Sequence, residues 1–328
     1  MKKRVWCLIL VLALGMGMLS GCGKKPNGTS EDNAIPEEVP EKEESHTFGF
    51  SGITMENPYY ITLEQSLRET LESKGHTLIT EDPAGDVKTQ IQQIDEMITD
   101  GIEAIFLCPV SWEEITPALE DLEQAGVKII NIDSEVKEID YIDAYIGSDN
   151  KNAGYICGED LAKQCPDGGK IAILECRTQN SINDRISGFE EAVSGKGFEV
   201  TAREDVLGDL NMAREAASRI FAEHKDIRAV MCGNDQIALG TLVAAHTAGL
   251  TDIMIYGVDG SPDLKKELLK KDSLIRGTCG QSPIKIGKKA AQVGMAILNG
   301  EEYDEKTYEE VFFIDSDNVD MYGVDGWQ

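Results

Sequence analysis

The feature that most constrains the fold is a recurring unit: a short β-branched apolar run, a turn, then ten or more residues of helical periodicity. Residues 104–107 precede a helical segment at 112–124 and residues 127–132 follow it; 170–174 precede 184–194, and 229–232 precede 236–248. Strands that alternate with helices pair in parallel and are covered on both faces, which is why their runs are almost continuously apolar. Gly126 and Gly249 stand just past two of the helical segments, where a left-handed residue closes the last turn. Roughly ten such units exceed what one small sheet holds. At roughly 150 residues per domain, 328 residues allow two sheets.

The first residues follow a different logic. Lys2, Lys3 and Arg4 precede an apolar run from Val5 to Leu14 and the small residues Ser20 and Gly21, the pattern of a secretory signal peptide over residues 1–21. Even taken from Val5 to Leu19 the stretch is shorter than the roughly 20 residues that span hydrocarbon, which weighs against a transmembrane anchor. Leu19, Ser20, Gly21 and Cys22 resemble the lipobox of bacterial lipoproteins, which implies lipidation of Cys22 and attachment to the outer face of the cytoplasmic membrane. Residues 22–45 are rich in Gly, Pro, Ser, Asn, Glu and Lys and cannot bury enough surface to order themselves, so they read as an acidic tether. Folded structure is expected from His46.

With 59 acidic against 31 basic residues the formal charge is −28, a surface that repels phosphate backbones and disfavours nucleic acid as a partner. Beyond Cys22 the exported chain carries Cys108, Cys157, Cys165, Cys176, Cys232 and Cys279. An even number in an exported protein leaves disulfides open, although most of these cysteines fall in apolar runs that suit buried thiols. No Cys-x-x-Cys pair occurs and the four histidines are scattered, so redox and zinc spacings are both missing.

In open parallel sheets, ligands bind beyond the carboxyl ends of the strands. The polar residues at those ends are Asn57, Asp133, Asn234 with Asp235, Asp259 and Gln281, and Arg185 is expected to open a helix after the strand ending at Leu174. Any one Asn or Asp there could be only a helix cap or turn residue; recurrence at strand after strand favours a site.

Asn57-Pro58-Tyr59-Tyr60, Asn131-Ile132-Asp133, Asp184-Arg185 through Gly188-Phe189, Gly233-Asn234-Asp235 through Gly240, Gly257-Val258-Asp259-Gly260 and Gln281 together resemble the ribose- and galactose-binding proteins of ABC importers, from about His46 to Gln328. That resemblance implies an α/β fold of two Rossmann-like lobes with parallel sheets, joined by crossings near Asp149, Gln281 and Phe312. The lobes would comprise 46–149 with 282–312, and 150–281 with 313–328. It also implies a monomer without cofactor or metal that closes around one monosaccharide and delivers it to an ABC permease with its ATPase. A membrane receptor or sensor kinase is the alternative recipient.

Carried over residue by residue, Asn57, Asp133, Arg185, Asn234, Asp259 and Gln281 would be the polar contacts, and Tyr59 and Tyr60 the stacking aromatics, Tyr60 being the preferred platform. Such a set suits a sugar: carboxylates accept from hydroxyls, Arg donates from a fixed fork, and Asn or Gln does both. Departures weaken ribose specificity: Cys108 stands where the family commonly has Asn, Ser134 where ribose binders have Arg, and Val258 where they have Phe. Residues 207–211 contain no second stacking aromatic, leaving Trp112 as the candidate to complete a sandwich.

Catalysis has little support. Gly49-Phe50-Ser51-Gly52 is not a nucleophile elbow, and Gly15 and Gly17 fall inside the signal peptide, where a dinucleotide fingerprint has no meaning. Asp133 and Asp259 could be imagined as a glycosidase pair, but their neighbours suit hydroxyl recognition. Asp315 to Gly326 has the acidic spacing of a calcium loop yet carries Asp320 where the sharp turn needs Gly. The two-lobed repressors that share this architecture need a DNA-reading helix-turn-helix ahead of the first lobe, a position held here by the signal peptide and tether.

Overall fold

The computed structural model describes residues 45–328; the signal peptide, Cys22 and nearly all of the tether lie outside the described residues. In chain order the elements are β1 (Thr47–Ser51), α1 (Pro58–Glu72), β2 (Thr77–Glu81), α2 (Val87–Thr99), β3 (Ala104–Leu107), α3 (Thr116–Ala125), β4 (Lys128–Ile132) and β5 (Ala144–Ser148). There follow α4 (Asn150–Gln164), β6 (Gly169–Glu175), α5 (Asn180–Val193), β7 (Phe198–Asp205), α6 (Leu210–Glu223), β8 (Ile227–Cys232), α7 (Asp235–Thr247), β9 (Met254–Asp259), α8 (Pro262–Leu268) and β10 (Ile275–Gly280). The chain ends with α9 (Pro283–Asn299), β11 (Lys306–Glu309) and β12 (Phe312–Ile314).

The strands form two lobes. One sheet runs β11-β5-β4-β3-β1-β2, the other β12-β10-β9-β8-β6-β7. All pairings are parallel except β12 with β10. The chain therefore passes between sheets after β5, after β10 and between β11 and β12. Phe312, expected to close the first lobe, instead pairs with Gly280 in the second sheet.

Alternation along the strands decides what each face buries. Phe48, Phe50, Phe106 and Ile130 pack with Leu63 and Leu67 of α1 and Ile286 and Ala290 of α9. Ile105, Leu107 and Ile129 point the other way, onto Ile94 and Met97 of α2 and Leu119 and Leu122 of α3. The second sheet repeats the scheme, with Leu174, Val230 and Ile255 against α6 and α7, and Ile173, Met231 and Val258 against α4 and α5. Each such side chain contributes roughly 1.5–3 kcal/mol on burial, so both sheets are rigid supports for their carboxyl-end loops. Backbone closeness matters most between α4 and α5: a Cβ on Gly154 would lie 1.7 Å from the carbonyl oxygen of Arg185.

Two helix starts differ from the periodicity. α5 begins at Asn180, so Arg185 sits in its second turn instead of opening it; Asn180, Ser181 and Asn183 are weak helix formers that hid the first turn. α3 begins at Thr116, because Trp112 is held before it by its backbone N–H donating to Thr178 O at 2.9 Å. The six described cysteines are all free and buried. Cys157, Cys176 and Cys279 pack as small apolar residues beside α4 and α5.

Candidate ligand-binding site

The loops after β1, β3, β4, β6, β8, β9 and β10 converge between the lobes. An inner cavity is walled by Asn57, Tyr59, Tyr60 and Asp133 from the first lobe, by Gln179, Ser181, Arg185, Asn234 and Asp259 from the second, and by Gln281 at a crossing. The eight residues carried over from the resemblance therefore line one cavity, whereas Asp235 and Trp112 do not. Gln179 and Ser181 were missed, although the strand-end rule applied to β6 would have found them. About 10 Å³ of this cavity is open to the centre of a water molecule, room for a single water. An outer cavity of about 280 Å³ adjoins it, lined by Ile53, Thr54 and Glu56 on one side and by Gln179, Leu207, Asp209, Asn234 and Gln236 on the other.

Two of the cavity residues are also helix caps. Asn57 caps α1 by accepting from the Tyr59 amide at 3.0 Å, and Asn234 caps α7 by accepting from the Ile237 amide at 2.9 Å. Each cap occupies the carbonyl oxygen and leaves the amide nitrogen available. Asn234 Nδ2 reaches Gly208 O at 3.4 Å. At Gly208, φ of +74° and the proximity of Gln179 Nε2, 3.2 Å from where a Cβ would stand, both favour glycine.

Two carboxylates are displayed by unusual backbone. Asp133 has φ 63° and Asp259 φ 146°, conformations that cost L-residues of order 1–3 kcal/mol and persist where the surroundings over-determine them. Asp133 Oδ2 accepts from Tyr60 Oη at 3.0 Å and from Cys108 Sγ at 3.4 Å. Burial, then the Asp133 carboxylate, raises the Cys108 thiol well above its usual range, so it acts as a donor and not a thiolate. The thiol of Cys108 thus supports the Asp133 carboxylate as a neutral donor.

On the opposite wall Arg185, 3% exposed, donates from Nε to Asn150 Oδ1 at 2.8 Å and from Nη1 to Gly233 O at 3.0 Å, with Asp259 Oδ1 3.7 Å away. Gln281 donates to Asp259 Oδ1 at 2.8 Å and accepts from Ser148 Oγ at 2.8 Å, tying the second lobe's carboxylate to the end of β5. Burial pushes Asp259 up to about 8; Arg185 opposes that shift and Asp235 adds to it. Asp235 does not line the cavity. It accepts from the Ser261 amide and from Thr278 Oγ1, each at 2.7 Å, and so fixes the turn that carries Asp259.

Trp112 likewise lines neither cavity. Its ring lies under Lys137 Nζ at 5.9 Å, and its role is an interlobe backbone contact. The aromatic that does approach is Trp327, edge-on to Tyr59 with centroids 5.7 Å apart. Ser134 accepts from the Ser181 amide at 3.1 Å, forming a bridge between lobes, and Val258 is buried in the core of the second. Among the described residues no group of three or more His, Cys, Asp or Glu is placed to hold a metal ion.

Residues 48–302 match the family described as periplasmic binding protein domain. The ribose import binding protein of Bacillus subtilis is 28% identical over 303 residues, 92% of this chain and 95% of that one. The same-named protein of Salmonella typhimurium is 28% identical over 254 residues, 77% and 85% of the two chains. A Mycobacterium smegmatis ABC transporter solute-binding protein, solved with bound glycerol, superposes with TM-score 0.81 at 26% identity, covering 85% of this chain and 97% of that one. A galactofuranose-binding protein shares the fold at TM-score 0.79 and 20% identity, covering 84% and 96%. These relatives are binding proteins, not enzymes. Match, fold and site together place the chain in the type I periplasmic binding proteins, the sugar-binding branch associated with ABC importers.

Proposed function

We propose that this protein is an extracytoplasmic receptor that captures a monosaccharide, a pentose or hexose, between its lobes and hands it to an ABC permease, tethered to the membrane through lipidated Cys22. The observation that carries this reading is the convergence of Asn57, Tyr59, Tyr60, Asp133, Arg185, Asn234, Asp259 and Gln281 from both lobes on one cavity. Tyr60 and Tyr59 form an aromatic wall against the C–H face of the ring. Asp133 and Asp259 accept from ring hydroxyls, while Arg185, Asn57, Asn234 and Gln281 donate.

Hydrogen bonds to charged groups contribute about 1.5–3 kcal/mol each, and a buried charged wall left unmatched discriminates against the wrong epimer. Room for one water in the inner cavity means that a sugar enters only when the lobes part. The crossings after β5, after β10 and between β11 and β12 are the hinge, and ligand held by both walls stabilises the closed arrangement through its differential affinity. A permease then reads loaded from empty protein by shape.

The import of ribose by the named relatives favours a pentose or related sugar. Cys108 and Ser134, where ribose binders carry Asn and Arg, favour a ligand other than ribose itself. Isothermal titration of residues 45–328 against pentoses, hexoses and polyols is expected to give one or a few tight ligands; heat from none of them overturns the reading.

A further inference from the structure

The hydroxyl of Tyr59 is left over by a role limited to stacking. Among the described residues only Tyr59 Oη, Gln93 Oε1 and Gln328 Oε1 are buried side-chain polar atoms without a hydrogen-bond partner, and of these only Tyr59 belongs to a residue of the inner cavity. Buried polar groups are almost always paired, and an unpaired one costs about 1–3 kcal/mol. The ring cannot swing away to relieve this. It is 2% exposed and held edge-on between Tyr60, at 5.3 Å and 88°, and Trp327, at 5.7 Å and 75°.

The neighbouring phenol is already committed, since Tyr60 Oη donates to Asp133. Tyr59 Oη makes no bond of good geometry, although the Asp133 carboxylate lies close enough to favour its protonated form. The charges that act on it are Asp133, Asp259 and Arg185. Burial first, then the two carboxylates, raise its pKa, so the group keeps its proton and is a fixed donor. A donor facing the Asp133 carboxylate and the carboxyl of Asp259 across a narrow cavity is matched by a ligand atom that both accepts and donates. A sugar hydroxyl does both.

We propose that Tyr59 Oη donates to one particular hydroxyl of the bound sugar, that this hydroxyl donates in turn to Asp133 or Asp259, and that the protein thereby selects for oxygen at that ring position. The inference rests on the inner cavity being the sugar site, and it gives Tyr59 a role that Phe could not fill. The ligand class is accordingly a neutral polyol with a hydroxyl at that position, the corresponding deoxy sugar being rejected.

The test takes the tightest sugar of the titration panel and its series of monodeoxy derivatives, and titrates each against the wild type and Tyr59→Phe. Wild type is expected to lose roughly 5- to 150-fold for the sensitive derivative, the equivalent of one unmatched buried donor. Tyr59→Phe should bind the parent sugar weaker by a similar factor and narrow the gap between parent and that one derivative by the same factor, the remaining gap being the hydroxyl's bond to Asp133 or Asp259. The gaps for the other derivatives should stay as in wild type. Because the ring contacts with Tyr60 and Trp327 survive in Phe, its melting temperature is expected within a few degrees of wild type, which separates lost recognition from lost folding. Unchanged affinity of Tyr59→Phe for the parent sugar, or deoxy gaps that are identical in the two proteins, would overturn the inference while leaving the sugar site standing. Absence of any binding by wild type overturns the site and this inference with it.

Discussion

The two lobes are near copies in plan and unlike in what they bring to the cavity. Both sheets hold six strands in closely corresponding orders. The first lobe presents an aromatic wall, with one carboxylate, Asp133, supported by neutral donors on Tyr60 and Cys108. The second presents a charged network in which Arg185, Asp259 and Gln281 constrain one another, with Asp235 fixing the turn beneath. One architecture thus supplies two kinds of wall: an aromatic surface on one side, a polar network on the other. The difference arises at strand ends, where the core imposes no apolar requirement.

If that division is right, the largest loss comes from Arg185→Ala. It leaves Asp259 buried without its cation and orphans Asn150 Oδ1 and Gly233 O. Breaking a buried pair costs about 3–5 kcal/mol, so sugar affinity should fall beyond the range of titration and denaturant stability should drop by a similar amount. An Arg185→Ala protein that still binds would break the comparison at once.

Next comes Asp133→Asn. Asn tolerates positive φ, so the fold should hold while the charge is lost. A drop of roughly 10- to 150-fold in affinity, from about 1.5–3 kcal/mol for a charge-assisted bond, with stability little changed, would show that the first lobe's acceptor serves the ligand more than the fold.

A smaller effect is expected from Asp259→Asn, read against pH. With its folded pKa raised to about 8, Asp259 keeps a proton in the native state that the unfolded chain releases near pH 4. Native protein therefore binds more protons between those values, and its contribution to wild-type stability falls as pH rises through that window. Thermal melts from pH 4 to 8 should show the Asn variant gaining steadily on wild type as pH rises, at roughly 2–4 °C per kcal/mol for large domains. A constant difference across the window would mean that Asp259 is not held protonated.

Least of all should be Tyr60→Phe. Asp133 loses one donor but keeps Cys108, so about 1 kcal/mol, or roughly five-fold in affinity, is expected. A loss equal to that of Asp133→Asn would give the first lobe a network as coupled as the second and erase the contrast.

Much of this was legible in the chain. The strand-helix alternation implied parallel sheets, and the rule that ligands sit beyond strand carboxyl ends pointed to Asn57, Asp133, Asn234, Asp259 and Gln281, all of which line the cavity. Two of them, Asn57 and Asn234, are helix caps as well, so capping a helix and lining the cavity are compatible. Asp235, adjacent to Asn234 and just as polar, is turned into the lobe to hold Ser261 and Thr278. No pattern in the sequence distinguishes the two neighbours, since the side a side chain takes at a strand-to-helix corner depends on the turn's dihedrals. Trp112 and Trp327 make the same point. The first looked placed to complete an aromatic sandwich and instead lies under Lys137, whereas the second, far along the chain, packs on Tyr59.

Apolar periodicity by itself determined the class of fold and the ends of strands at which chemistry would lie, because burying both faces of a parallel sheet leaves the sequence little freedom along the strands. Tertiary structure alone decided which polar groups meet: that Tyr60 and Cys108 share Asp133, that Gln281 ties Asp259 to Ser148, and that the hydroxyl of Tyr59 is left unmatched. Those pairings join residues far apart in the chain and turn on ångström distances and rotamers, which no local pattern encodes.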